Sequence, residues 1–120
     1  MSLDPVPGLG PVFSALADPV RRQLLTSVGD HPEMTATELA AGLPISRQAV
    51  TKHLAALRQA RLVSGQRQGR EVRYRLERER LEAAMAWMAA VGQAWDDRLT
   101  VLRGRLGDPA PPAEPELRRR

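Results

Sequence analysis

The sequence contains no cysteine, which excludes disulfide bonds, thiolate metal sites and cysteine nucleophiles. No apolar run approaches the roughly 18 residues that a membrane-spanning helix requires, and the charged-then-apolar order of a signal peptide is missing. A glycine-rich phosphate loop and a recognisable Ser-His-acid arrangement are also missing. These absences predict a cytoplasmic protein that makes no membrane contact, is not an enzyme and uses no cofactor.

The net charge of +4 is concentrated in one short part of the 120-residue chain. Residues 47–75 contain eight basic side chains and one acidic side chain, whereas residues 1–46 contain more acidic than basic ones and the remainder is balanced. A phosphate-binding surface requires a local excess of this kind. Charge alone fits a solvated face equally well, so the structure predicted beneath these charges decides between the two.

Helix start signals mark two helices in the middle of the chain. Thr35 and Glu38 have the spacing of a capping box that begins a short helix. Ser46 is a candidate N-cap for the next helix, which extends to about Ala60. The apolar residues of that helix recur at spacings of four and three: Val50, Leu54 and Leu57. Two helices joined by a tight break predict a helix-turn-helix.

The hydrophobic period changes to two after this pair of helices. Leu62 begins one predicted strand, and the polar stretch 66–71 with Gly69 supplies the tip of a hairpin. In the second strand apolar residues alternate with arginines: Val72, Arg73, Tyr74, Arg75 and Leu76. A two-stranded hairpin that follows a helix-turn-helix is a wing.

Helical patterns flank the helix-turn-helix on both sides. Val12, Phe13 and Leu16 predict a short first helix, and Asp18-Pro19 begins a second one. Residues 78–106 form one long helical pattern whose apolar surface covers about half of the circumference, where one core-facing stripe needs about 100°. This surplus predicts contact with a second copy of the chain, the alternative being a wide helix in the core of a monomer.

The sequence predicts three segments. Residues 1–10 form an irregular lead, residues 11–106 form the DNA-binding and dimerisation domain, and residues 107–120 form a disordered tail rich in proline and arginine.

Three segments of the sequence resemble the ArsR/SmtB-type winged helix-turn-helix repressors: ALADPVRRQLL at 15–25, ATELAAGLPISRQAVTKHLAALRQARLV at 36–63 and GREVRYRL at 69–76. The resemblance implies a mainly α fold with a two-stranded β wing and a homodimer formed by the first and last helices. The predicted interface residues are Val12, Phe13, Leu16, Met85, Met88, Trp95, Leu99 and Leu102. The final helix, AWMAAVGQAWDDRLTVLRGRL, is similar to that of a metal-independent branch of this family.

The resemblance also implies that the helix from Ser46 to Ala60 reads the major groove with its N-terminal end. The predicted DNA contacts are Ser46, Arg47, Gln48, Ala49, Thr51 and Lys52 on this helix and Arg67, Arg70 and Arg73 in or beside the wing. Arginine and glutamine suit guanine and adenine, and alanine or threonine can meet a thymine methyl group. The alternative is that these are ordinary exposed side chains.

Arg21, Arg22 and His53 have competing interpretations. The two arginines match a family motif and fit either a structural role or a phosphate contact, whereas His53 fits a structural histidine beside the core better than a base contact.

Metal sensing is the best-known activity of the family, and the sequence departs from it. One sensing design needs a cysteine pair, which is absent. Another needs Asp and His ligands on the last helix, which has Asp96 and Asp97 but no histidine. Two adjacent carboxylates cannot share one helix face, so we predict no regulatory metal site and leave a small-molecule effector undetermined.

We therefore predict a homodimeric transcriptional repressor that binds a palindromic operator in duplex DNA, with autorepression as one form. The alternative is a winged-helix protein-interaction module that does not read DNA. A MarR-type repressor generally has more helix before the DNA-reading part than this chain supplies.

Overall fold

The computed structural model describes residues 8–106. The predicted tail and residues 1–7 of the predicted lead lie outside this range, and α1 already begins at Leu9. The described elements are α1 (Leu9–Leu16), α2 (Pro19–Asp30), β1 (Met34–Thr35), α3 (Ala36–Ala41), α4 (Arg47–Gln59), β2 (Val63–Gln68), β3 (Glu71–Leu76) and α5 (Glu79–Leu106). The chain divides after Ala86 into two compact units, and the first unit holds every element up to the start of α5.

Side-chain caps begin α2 and α3 where the sequence predicts them. The Asp18 carboxylate accepts hydrogen bonds from two backbone N–H groups in the first turn of α2, at 2.8 and 3.2 Å. The Thr35 hydroxyl accepts from the N–H of Glu38 at 3.2 Å, and the Glu38 carboxylate accepts from the N–H of Thr35 at 3.0 Å. The capping box is therefore complete, and α3 begins at a fixed residue although it is only six residues long.

These caps also affect the two carboxyl groups. The backbone N–H of Arg21 holds the pKa of Asp18 below its ordinary value, and the backbone N–H of Thr35 does the same for the pKa of Glu38. Because folding lowers both pKa values, each carboxylate stabilises the fold at pH values above the ordinary pKa of a carboxyl group. That contribution is lost as the pH falls through the lowered pKa.

One hydrophobic core lies inside the first unit and includes residues of α1, α2, α4 and the sheet. Its largest fully buried side chains are Val12, Leu24, Val28, Val50, Leu54, Leu57 and Leu62. The three that α4 contributes are those that the helical spacing predicts. Because this face of α4 is buried, the opposite face is left to solvent.

The sheet has three strands, one more than the sequence predicts. β2 and β3 form the predicted antiparallel hairpin, and β1 pairs with the other edge of β3, with Met34 opposite Tyr74. The strand order is β1-β3-β2. A strand of two residues shows no alternation, and its partner lies far along the chain, so no local pattern could predict it.

The turn of the hairpin is also tighter than predicted. Pairing continues to Gln68 opposite Glu71, so that only Gly69 and Arg70 remain unpaired. Gly69 has a φ of 64°, and a positive φ at the first of two turn residues is typical of a type II′ turn. This turn places the side chain of Arg70 at the exposed tip.

A Schellman motif ends α4. The N–H of Leu62 donates to the carbonyl oxygen of Leu57, and the N–H of Arg61 donates to that of Arg58, both at 3.0 Å. Arg61 occupies the position that most helices give to glycine and has a φ of 60°. A non-glycine residue in this left-handed region costs about 1–2 kcal/mol.

We expect Arg61→Gly to raise the free energy of unfolding by about 0.5–1 kcal/mol. Glycine removes the strain at this φ, but its greater conformational entropy in the unfolded chain offsets part of the gain. Urea unfolding at a fixed protein concentration measures the change. Arg61→Ala is the matched control, since it removes the same side chain and keeps the strained φ. Equal stabilisation by the two variants would show that the arginine side chain, and not its backbone, is unfavourable.

Helix α5 runs without a break from Glu79 to Leu106, a length of about 42 Å. In its first two turns Ala84 is fully buried and Leu81 packs against the core. Beyond them the large apolar side chains are exposed by 36–76%: Met85, Trp87, Met88, Val91, Trp95, Leu99, Val101, Leu102 and Leu106. No helix within residues 8–106 combines the length and the apolarity that a membrane crossing needs.

Candidate nucleic-acid interface

The N-terminal half of α4 presents a polar face to solvent. Arg47, Gln48, Thr51 and Lys52 are exposed, while Val50 among them is fully buried. The Thr51 hydroxyl donates to the carbonyl oxygen of Arg47 at 3.0 Å, which fixes it one turn above that arginine. The first two turns of α4 therefore hold a continuous set of hydrogen-bonding and cationic side chains.

Ser46 fixes where this helix begins. Its hydroxyl accepts a hydrogen bond from the N–H of Ala49 at 3.1 Å, so Ser46 is the N-cap of α4. Ser46 is exposed and Ala49 is half-buried. The other N–H groups of the first turn and the helix dipole give this end partial positive charge, which favours an anion.

A cleft of about 530 Å³ joins α4 to the wing. It is lined by residues of β1, α3, α4, β3 and the hairpin turn: Thr35, Ala36, Thr37, Glu38, Arg47, Thr51, Arg70, Glu71, Val72, Arg73 and Tyr74. The fold thus brings Arg47 and Thr51 to the same concave surface as Arg70, which is far away in sequence. Thr37 is an exposed member that the sequence analysis missed. The sequence feature that could have identified Thr37 is its position two residues after Thr35, the N-cap of α3.

Four cations of the predicted interface are exposed: Arg47, Lys52, Arg67 and Arg70. Within residues 8–106, none of the four makes an ion pair with a carboxylate. They are therefore free to neutralise a polyanion. Arg67 lies near the end of β2, opposite Val72, and extends the basic surface along the wing.

Arg73 makes several contacts within its own chain. One guanidinium nitrogen donates to the carbonyl oxygen of Glu33 at 2.9 Å, and the other donates to the carboxylate of Glu71 at 2.8 Å. Glu38 lies 3.7 Å away. Two carboxylates thus neutralise this half-buried arginine, which ties β3 to α3 and to the turn before β1. These contacts give Arg73 a structural role, and its predicted DNA contact stays a prediction.

Glu33 is the residue that organises this part of the fold, and the sequence analysis missed it. It has a φ of 75°, its N–H donates to the carbonyl oxygen of Tyr74 at 3.0 Å, and its carboxylate pairs with Arg75. The sequence signal for Glu33 is its place in the turn formed by His31, Pro32 and Glu33. That signal does not show which residues Glu33 binds.

Arg21, Arg22 and His53 have structural roles in the first unit. Arg21 donates to the carbonyl oxygen of Ala15 at 3.5 Å, and Arg22 donates to that of Leu16 at 2.7 Å. These carbonyls lie at the C-terminal end of α1, where cations satisfy unpaired acceptors and favour the helix dipole. Arg21 also donates to Nδ1 of half-buried His53 at 3.4 Å.

The predicted dimer residues fall into two groups. On α1, Phe13 and Leu16 are half-buried, whereas Val12 is completely buried in the core of its own protomer. Val12 therefore offers no surface to a partner, and its prediction as an interface residue is wrong. The predicted residues of α5 are all exposed: Met85, Met88, Trp95, Leu99 and Leu102.

The acidic residues of α5 show no metal-binding arrangement. Within residues 8–106, no three histidine, aspartate or glutamate side chains are grouped so that they could hold a metal ion. Asp97 accepts a hydrogen bond from the side chain of Gln93 at 3.1 Å.

A helix-turn-helix with an exposed, cationic second helix and an adjacent hairpin defines the class of winged helix-turn-helix proteins. A family model described as a helix-turn-helix domain matches residues 16–66. The chain is 42% identical over 76 residues to a transcriptional repressor SmtB homolog of Synechocystis, covering 63% of the chain and 57% of that relative. It is 37% identical to the transcriptional repressor SdpR of Bacillus subtilis, covering 64% of the chain and 84% of SdpR.

A solved structure shows the same fold over a greater length. The ArsR-like transcriptional regulator from Rhodococcus sp. RHA1 superimposes with a TM-score of 0.73 at 37% identity, covering 85% of this chain and 95% of that one. The chain spans only a little over half the length of the first curated relatives it matches. The chain belongs to the ArsR/SmtB family of winged helix-turn-helix transcriptional regulators, a family of regulators and not of enzymes.

Proposed function

We propose that two copies of this chain bind a palindromic operator in duplex DNA and repress transcription by occluding the promoter. The exposed N-terminal end of α4 enters the major groove, and the β2–β3 hairpin contacts the flanking backbone. The main support for this proposal is that Arg47 and Thr51 of α4 line the same cleft as Arg70 of the hairpin. Relatives named as transcriptional repressors support the direction of regulation.

The first two turns of α4 contact the DNA bases. Gln48 and Thr51 are exposed there and lie off the buried face. Glutamine can bond adenine through two hydrogen bonds, and threonine can contact a thymine methyl group. Arg47 and Lys52 contact phosphates or guanine beside them, and Arg67 and Arg70 contact the backbone from the wing.

The second copy of the chain docks on the exposed apolar face of α5 and on Phe13 and Leu16 of α1. Exposed apolar side chains in such number are typical of an interaction surface. A two-fold dimer presents its two copies of α4 about one helical turn of DNA apart, on the order of 34–36 Å. Because this regulator acts on DNA, we place it in the cytoplasm.

Fluorescence anisotropy tests the proposal with duplex DNA from immediately upstream of the gene that encodes the chain. A shuffled duplex of the same composition is the control, and a chelator is present throughout. Preference for the native duplex by about 10³ or more is the expected result for a specific, metal-independent reader. Equal weak binding to both duplexes would contradict autorepression and favour the interaction-module alternative.

The salt dependence of binding should be steep. The four unpaired cations of each protomer neutralise about eight phosphates per dimer, so that log K should fall against log salt with a slope of about −7. Anisotropy titrations between about 0.1 and 0.3 M salt measure this slope. A slope shallower than about −2 would show that most of these cations do not contact phosphate.

A further inference from the structure

Another cleft of the first unit, which we call the α4–β2 cleft, lies at the C-terminal end of α4. Its volume is about 330 Å³, which is at the lower end of the range of about 300–1,000 Å³ that is common for small-molecule sites. Its polar lining residues come from the end of α4, from β2 and from the start of α5: Arg58, Arg61, Ser64, Glu77, Glu79 and Arg80.

Five charged side chains line the α4–β2 cleft without pairing with one another. Three of them are guanidinium groups and two are carboxylates, and within residues 8–106 no ion pair joins any of the five to another residue. Arg80 is half-buried. Removing a charge from water costs free energy unless a partner of opposite charge or hydrogen bonds replace the lost solvation. The cleft therefore presents both signs of charge to a ligand.

Two glycines make room for two of the guanidinium groups. A Cβ atom at Gly65 would lie 3.3 Å from Cζ of Arg58 and 2.9 Å from Cγ1 of Val72. A Cβ atom at Gly8 would overlap the guanidinium of Arg80, and Gly8 also has a φ of 90°, which favours glycine. Side chains at these two positions would crowd or displace the guanidinium groups, so the glycines help to hold them at the cleft.

The third arginine is held at the cleft by a strained backbone. Arg61 has a φ of 60° at a helix end where glycine is usual. Strain of this kind is concentrated at functional sites, where the surrounding structure compensates for it. Arg61 is not among the predicted DNA contacts, and its side chain makes no ion pair within residues 8–106. Binding of a ligand gives a reason for an arginine at this position.

We propose that the α4–β2 cleft binds a small zwitterionic phosphate ester, which carries one phosphate and one amino group. The phosphate accepts hydrogen bonds from the three guanidinium groups, and the amino group pairs with the carboxylates of Glu77 and Glu79. A phosphate monoester carries a charge of about −1.5 to −2 at pH 7, and guanidinium groups bind its oxygens through paired hydrogen bonds. The ligand thus matches both signs of charge in the cleft. This inference goes beyond the proposed function and does not depend on it.

Phosphoethanolamine is the probe, and NMR titration of the full chain labelled with ¹⁵N measures its binding. The backbone amide signals of Ser64 and Glu77 should shift with a dissociation constant of about 1 mM or lower. Ethyl phosphate lacks the amino group and should bind about tenfold more weakly. No shift up to about 10 mM phosphoethanolamine would overturn the proposal. Equal affinity for ethyl phosphate would overturn the part assigned to the two carboxylates.

Arg61→Gly separates binding from folding. The variant should be more stable, because it relieves the strained φ, and yet should raise the dissociation constant of phosphoethanolamine about tenfold or more, because a charged hydrogen-bond donor is lost. Arg78→Gln is the matched control, since Arg78 pairs with Glu82 at 3.3 Å and does not line the cleft. It should change the dissociation constant by less than about twofold. An equal loss of affinity in both variants would show a response to net charge and overturn the site.

A phosphate of duplex DNA is the other source of this chemistry. Arg58 lies about 16 Å along α4 from Arg47, which belongs to the surface proposed to bind DNA. Arg58→Gln should therefore leave the slope of log K against log salt for DNA at about −7, while it weakens phosphoethanolamine binding about tenfold. A slope that falls to about −5 would assign two phosphate contacts of the dimer to this cleft and overturn the proposal.

Discussion

Replacing Arg47, Lys52 and Arg70 together by glutamine should lower the affinity for operator DNA on the order of 10⁴-fold at about 0.15 M salt. Each phosphate contact contributes about 0.7 to log K at this salt concentration, and the dimer loses six such contacts. The three side chains are exposed, and within the described part of the chain none has a carboxylate partner. Their removal should therefore leave the fold intact.

Anisotropy titrations over a range of salt concentrations test both parts of this expectation. The triple variant should keep a slope of about −2 in place of about −7, since only Arg67 remains on each protomer. Arg75→Gln combined with Arg78→Gln is the control, because these two arginines already pair with Glu33 and Glu82. A control that loses as much affinity per charge as the triple variant would show that binding responds to net charge and not to this surface.

Much of the first unit could be predicted because local rules determine it. The caps of α2, α3 and α4 each require one side chain at a fixed distance from the backbone groups that it satisfies. The buried face of α4 follows from the spacing of three leucine or valine residues. Local signals of this kind do not depend on contacts far along the chain. The helix-turn-helix and the hairpin therefore lie where the sequence predicts them.

The interface was less predictable wherever a side chain finds its partner far along the chain. Arg73 has the same alternating context as Arg75, and nothing near it in sequence shows that it will bond to Glu33, forty residues earlier. Glu38 was predicted as a cap, and its proximity to Arg73 is a tertiary contact. The fold leaves four of the predicted basic side chains exposed and places carboxylates beside the fifth, Arg73.

Burial inside the protomer is a second property that composition does not reveal. Val12, Phe13 and Leu16 are all apolar residues of one short helix, yet only Val12 is completely buried. The direction of a side chain depends on how α1 packs against α2 and α4. The exposed face of α5 was easier to predict, because its apolar surface is wider than one core contact can cover.

The largest effect on stability should come from Leu54→Ala. Leu54 lies in the middle of α4, is fully buried, and packs in the core beneath the surface proposed to read DNA. Truncation of a buried leucine to alanine costs about 2–5 kcal/mol, which is a large part of the roughly 5–15 kcal/mol that stabilises a domain. We expect a correspondingly lower urea midpoint and an unchanged slope of the unfolding transition.

Gln59→Ala is the control, since it also places alanine in α4 but at an exposed position outside both proposed interfaces. It should change the free energy of unfolding by less than about 0.5 kcal/mol. The comparison separates core packing from helix propensity, because both variants place alanine in a helix. A small effect of Leu54→Ala would contradict the structure directly, since it would mean that α4 is not held by its Val50, Leu54 and Leu57 face. The exposed direction of Gln48 and Thr51 would then lose its structural basis.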